Sequence, residues 1–435
     1  MRKIICGFII ILMFICLQAG ASQLPDEVKV GLKYGDTTVS TIPVICPKGA
    51  LVTDVNGVEL YRQEGAVSMT VKAGEGTSID VYIGEKAVAS LNDDIYIAPI
   101  SDLITLNTYT YRGKLLFKRI NGANLTVINQ LKMDDYLRGV VPREIGGSSP
   151  IEAMKAQAIT ARSYAASNMG RHKSDGFDFC YTTHCQVYGN ISGETTSANK
   201  AVDETSGIVG TYEGKIAQMF FFASDGGYTE NVENVWNTAI PYLIAVEDPY
   251  ETDKATNHTW SVTLTNDEVT DLFSQFDLGD IKDIKILEIT KAGSVLKLEI
   301  VGTKNSKIME REGCRTVFNG KVNSQAFDIE KKIEGQSMAY MGLDSVTTQP
   351  LGSTIQILGA SGKSEGQING INVLSSSGNS QFWVQEGEVT SYTINGVGWG
   401  HRLGMSQWGA IAMAEQGFTY DQILKFYYTG ITIGE

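Results

Sequence analysis

Between residues 28 and 95 apolar and polar side chains alternate in short runs: VKVGLKYGD, TIPVICP, ALVTDV, VELYRQ, VSMTVKAG and SIDVYIG. A period of two puts every second side chain on one face, so these runs predict half-buried strands separated by Gly- and Asp-rich turns. A second strand set, YRGKLLFKRI and ANLTVINQL, leads into DDYLRGVVPREIGGSSP. There the pattern turns helical. Ser149-Pro150-Ile151-Glu152 has the form of a capping box with Pro at the first helical position, and the Ala-rich EAMKAQAITARSYAA favours helix. Lys155 and Arg162, seven apart, fall on one face. Residues 218–246 predict a buried strand entering a Gly-Gly turn and an aromatic loop. Strands and a polar helix alternate from about 259 to 345, and 346–384 is a Ser- and Gly-rich loop or hairpin elaboration. Near the end, a Gly-rich turn feeds a helix that Gly417 closes, and Thr419-x-x-Gln422 opens another. The fold class is α+β, with a β-rich N-terminal domain over 23–112 and a mixed α/β domain over 113–435.

Composition fits a folded chain of two or three domains: 435 residues, 43% hydrophobic, with 46 glycines and nine prolines. Arg2 and Lys3 precede an apolar run from Ile4 to Leu17, and Ala19-Gly20-Ala21 forms an A-x-A cleavage pattern. Residues 1–22 therefore read as a signal peptide or signal anchor, which places the working chain outside the cytoplasm. Membrane attachment is expected only through an uncleaved anchor. Cleavage would leave 34 of the 36 basic residues against 49 acidic ones, a net charge of −15. That balance argues against nucleic acid and tolerates a neutral partner such as a glycan.

The densest chemistry lies between 134 and 185. Glu144 sits among Val140, Val141 and Ile145, a partly dry setting that keeps a carboxyl proton available near neutral pH. Arg143 opposes this if its side chain lies close. Cys180-x3-His184-Cys185 gathers three soft or borderline donors in six residues, suited to Zn²⁺, while a Cys180–Cys185 disulfide fits the same spacing. His401 is the candidate fourth ligand. Cys46 and Cys314 stand alone, as buried thiols or a pair. Trp399-Gly400-His401 occupies a turn, Gln407 and Trp408 head a helix, and indoles there, with Trp236, Tyr228 and Tyr242, suit stacking on sugar faces. No P-loop, HExxH, Rossmann fingerprint or Ser/Cys nucleophile pattern occurs.

Taken together, YLRGVVPREIGGSSPIEAMKAQAITARSYA, FFASDGGYTENVENVW and GVGWGHRLGMSQWGAIAMAEQGFTYDQILKFYY closely resemble the SpoIID/LytB family of bacterial cell-wall proteins. The likeness runs from roughly residue 115 onward. It implies a lytic transglycosylase of peptidoglycan glycan strands stripped of stem peptides, in sporulation and engulfment, with Glu144 as the catalytic acid. Arg162 and Tyr164 become substrate-positioning residues, joined by Trp399, His401 and Gln407. A structural zinc falls on Cys180, His184 and Cys185. The LytB branch implies instead a non-catalytic enhancer of an N-acetylmuramoyl-L-alanine amidase, with that amidase as partner. The family's GHGVGMSQ reads GHRLGMSQ here, so Arg402 replaces a glycine; the departure bears on substrate approach beside His401 and leaves the acid untouched.

Overall fold

The computed structural model describes residues 24–335 and 387–434, plus the backbone of six strands between 337 and 385. The leader over 1–22 lies outside the described residues. Strands and helices are both abundant, and the class is α+β. Two compact units form. The first holds residues up to 148, 158–218 and 431–435; the second holds 149–157 and 219–430. The helix Ile151–Ser167 passes from one to the other at residue 157.

In the first unit, alternation becomes two sheets. A seven-stranded sheet runs in the order 179–180, 27–33, 126–132, 114–118, 95–99, 49–53, 59–64, antiparallel except where Val30–Gly31 pairs with Phe179–Cys180. A six-stranded antiparallel sheet runs 109–112, 103–106, 41–46, 67–73, 79–83, 86–91. In Thr41–Cys46 the side chains of Ile42, Val44 and Cys46 turn inward and their neighbours outward, the expected half-buried pattern. The seven-stranded sheet takes strands from both sides of residue 112, so the expected boundary at 112/113 runs through a sheet.

Two helices pack differently. Met133–Val141 buries Met133, Tyr136, Leu137, Val140 and Val141, a one-sided stripe. Ile151–Ser167 is buried almost all round, with Ala153, Ala156, Ala158, Ala161 and Ala165 fully covered, because small side chains let neighbouring backbone close in. The Glu152 carboxylate accepts from Lys155 Nζ and from the Tyr420 amide, each at 2.9 Å.

The second unit centres on two three-stranded antiparallel sheets, ordered 259–265, 388–397, 327–334 and 281–289, 295–302, 306–310. Phe273, Phe318, Leu298, Ile300, Tyr392 and Ile394 fill its core. Thr265 and Glu268 make a capping box at Asn266–Leu272. The Ser- and Gly-rich stretch forms a four-stranded sheet and a two-stranded hairpin. Helix Gln407–Glu415 ends before Gly417, whose φ of +90° suits glycine, and the Thr419 amide donates to Gln422 Oε1 at 3.0 Å. Among the described residues no helix is long and apolar enough to cross a membrane.

Candidate active site and metal centre

Glu144 projects from a single π-helical turn, Pro142–Gly146, that continues the helix Met133–Val141. Such turns re-aim a side chain that a regular helix would send elsewhere. Glu144 is half-buried, and its Oε1 accepts the Val187 amide at 2.7 Å. The strap carrying Val187 is itself pinned. Tyr136 donates to Gln186 Oε1 at 2.9 Å, Gln186 donates to the Ala161 carbonyl at 3.3 Å, and Tyr188 donates to Asn129 Oδ1 at 2.6 Å. Arg143 turns away into the 189–193 loop, where it donates to the Asn190 carbonyl at 3.1 Å. A Cβ at Gly189 or Gly193 would collide with that guanidinium.

Four donors converge in the same unit. His172 Nε2, Cys180 Sγ, His184 Nδ1 and Cys185 Sγ lie within 4.8 Å of one another. His184 Nδ1 is 3.3 Å from His172 Nε2 and 3.6 Å from each sulfur. Zinc bonds of ~2.0 Å to nitrogen and ~2.3 Å to sulfur in a tetrahedron imply edges of roughly 3.3 to 3.8 Å, so the spacing fits that ion. Asp175 Oδ2 lies 3.0 Å from His172 Nδ1, the outer carboxylate that fixes a ligating tautomer. All four described cysteines are free thiols. Burial opposes ionisation of Cys180, but hydrogen bonds with Thr182, then His184 and Cys185, outweigh it and carry the thiol down to about 6. At Cys185 burial dominates and the thiol rises to about 11.

The fourth donor is thus His172, not His401, which belongs to the other unit. A turn delivers it: Gly176 at φ +84° lets Phe177 pair back on His172, and the His172 amide donates to the Asp178 carbonyl at 3.2 Å.

The expected substrate-positioning residues divide. Arg162 has no exposed surface; it donates to Asp134 at 2.8 Å and to the Ile208 carbonyl at 3.1 Å, tying its helix to both segments. Tyr164 is 6% exposed, and burial raises its hydroxyl to about 12, with Cys185, Cys180 and Glu144 adding to the rise and Arg171 opposing it. In the second unit Trp399 is 45% exposed, as an aromatic platform requires. His401 packs on Trp236 and Phe222 at 5.2 and 5.5 Å between ring centroids. Its Nδ1 accepts the Leu403 amide at 3.0 Å, and burial, with help from the Arg315 charge, lowers its pKa to about 3. Gln407 is buried and reaches Gln157 Oε1 at 3.4 Å.

Arg402 does not cover the surface beside His401. It adopts φ +62°, the conformation for which glycine is favoured, and is 1% exposed. Its guanidinium donates inward to the carbonyls of Asp225, Tyr228 and Ala292 and to Ser294 Oγ. Nearby, three buried carboxylates escaped the sequence reading: Asp225, Asp248 and Glu251. Glu251 accepts from Ser224, Ser406, His258 and the amides of Asp225 and Gly226, which makes it the hub of this loop packing. Burial, then Asp248 and Glu251, push the Asp225 carboxyl well above its ordinary range.

The model of Stage II sporulation protein, SpoIID, matches residues 121–212, the stretch that holds Glu144 and all four donors. Stage II sporulation protein D of Bacillus subtilis (strain 168) is 29% identical over 328 residues, 72% of this chain and 77% of its own. The amidase enhancer of the same organism is 31% identical over 309 residues, 68% of this chain. This chain belongs to the SpoIID/LytB family. It spans 40% of the amidase enhancer's length. An uncharacterized protein of Brachyspira hyodysenteriae (strain ATCC 49526 / WA1) is 31% identical over 76% of this chain and 74% of its own. Residues 229–343 match a domain of unknown function (DUF8618), so the second unit of this family member carries a module without an assigned role.

Proposed function

We propose that this protein is a lytic transglycosylase that cuts the MurNAc–GlcNAc bond of denuded peptidoglycan strands, in wall remodelling during sporulation. The observation carrying the reading is the setting of Glu144: half-buried on a π turn, with one carboxyl oxygen held by a backbone amide. Glu144 protonates the glycosidic oxygen as the bond to C1 breaks and positive charge develops there. The resulting carboxylate then takes the proton of the MurNAc C6 hydroxyl while that oxygen closes on C1. A 1,6-anhydro end forms, no water is consumed, and the second carboxylate of a hydrolytic glycosidase is not needed.

Zinc at His172, Cys180, His184 and Cys185 closes a four-donor shell, the structural kind, and holds the loop that carries Val187. Residues 1–22 direct or anchor the chain outside the cytoplasm. A second reading has specific support in the amidase-enhancer relative: the chain docks on a wall amidase and raises its activity.

The test is mass spectrometry of denuded strands incubated with the protein. Anhydro ends are expected, and Glu144→Gln should lower the rate by about 10² to 10⁴. Products with only reducing ends, or an equally active Glu144→Gln, would overturn the proposal. Amidase stimulation without sugar release would establish the second reading. Metal analysis should find one zinc per chain, lost in His172→Ala, with a lower Tm after chelation.

A further inference from the structure

The first unit carries a groove of about 340 Å³ lined by Tyr109, Tyr111, Tyr181 and Tyr188, the last of which directly follows the residue whose amide holds Glu144. The rest of its lining comes from the strands Glu27–Lys33 and Thr41–Cys46 and from Leu106 and Asn107 of the hairpin that carries Tyr109 and Tyr111. Tyr109 and Tyr181 are 57% and 38% exposed, so both rings present a face to solvent. Tyr111 and Tyr188 stack behind them with centroids 6.3 Å apart. We propose that this groove is a glycan subsite, in which the exposed rings of Tyr109 and Tyr181 stack on sugar faces of the strand that Glu144 cleaves. The proposal rests on the transglycosylase reading for the identity of that strand.

Three observations point to a sugar and to this strand. The first is charge. Lys33 is the one formal charge among the lining residues, and the other side chains there are aliphatic, amide, hydroxyl or phenol groups. A neutral, amphipathic wall suits a pyranose, whose faces are apolar and whose rim is hydroxylated. The second is continuity. Tyr188 directly follows Val187, the residue that holds Glu144, and the Arg143 charge acts on Tyr111. The third is the shared loop. Within 180–188 the chain supplies three of the four soft donors, the amide on Glu144 and two groove tyrosines. One segment therefore sets the acid and the wall together. The hairpin bearing Tyr109 comes from the β-rich N-terminal region, which gains a role in substrate binding.

The test uses full-length Glu144→Gln, which cannot turn over ligand, and measures binding of denuded glycan strands by calorimetry. Adding Tyr109→Ala or Tyr181→Ala should weaken binding about 3- to 10-fold for each ring, and Tyr109→Phe should restore it. In the active protein the same changes should raise KM and leave kcat nearly unchanged. Unchanged Tm and far-UV circular dichroism would confirm folding; a variant that fails this check is replaced by Tyr109→Leu. Unaltered binding and KM in both alanine variants would overturn the groove proposal while cleavage itself persists. Tighter binding of peptide-bearing strands than of denuded ones would overturn it too. If no anhydro ends form but tyrosine-dependent binding remains, the enzyme reading fails and the subsite stands.

Discussion

At Arg402 two costs oppose each other within one residue. Its left-handed backbone costs about 1 kcal/mol relative to glycine. Its guanidinium satisfies the Tyr228 carbonyl and, in the interior, the carbonyls of Asp225 and Ala292 and the Ser294 hydroxyl; a buried acceptor left bare costs about 1–3 kcal/mol. The second term wins, so Arg402→Gly should lower stability by about 2–4 kcal/mol, read as a shift in denaturant midpoint. Lysine should not rescue it, because a single ammonium cannot reach the same spread of acceptors. A glycine variant as stable as the parent would show the side chain contributes nothing. At this motif departure Arg402 holds a left-handed backbone and turns its side chain into the interior.

Among the elements, the strap 180–189 ties the acid to the rest of the unit. Gly139, in the helix before Glu144, faces it: a Cβ there would lie 2.6 Å from the Tyr188 ring and 2.7 Å from the Gly189 carbonyl. Replacing a helical glycine with alanine ordinarily gains about 1 kcal/mol. Here the contact is with backbone, which cannot swing aside. Gly139→Ala should therefore lose about 1–3 kcal/mol in thermal or chemical denaturation, and strand cleavage should fall with it as Val187 shifts. Stabilisation of this variant would mean the strap is looser than its hydrogen bonds imply.

For the molecule as a whole, long-range ties set the pH range of the first unit. Glu194 accepts two hydrogen bonds from Arg112, each 2.8 Å, and one from Asn199 at 2.9 Å. The Arg112 tie spans 82 positions. Burial pushes the Glu194 carboxyl up, but the Arg112 and Asn199 bonds prevail and hold it below its ordinary value. A depressed folded-state pKa contributes stability above the unfolded value of about 4.3, lost as pH falls through the folded one. Glu194→Gln should cost about 1.5–3 kcal/mol at pH 7. The gap from the parent should narrow below about pH 4, followed by urea melts across pH. A gap constant with pH would locate the loss in packing and not in charge.

Local information in the chain was enough for features that depend on a few neighbouring residues. Strand alternation, the helix stop at Gly417, the helix start at Thr419, the position of Glu144 and three of the four soft donors are all written within short windows. Convergence is different in kind. His172 joins Cys180 only because the 172–177 turn and the pairing of Phe179–Cys180 with Val30–Gly31 bring them together. Tyr109 and Tyr188 line one groove through sheet register, and Arg162 and Arg402 point inward because buried acceptors await them there. No periodicity encodes such meetings: they follow from which distant surfaces pack, and burial then decides whether a charged side chain meets a ligand or braces the fold.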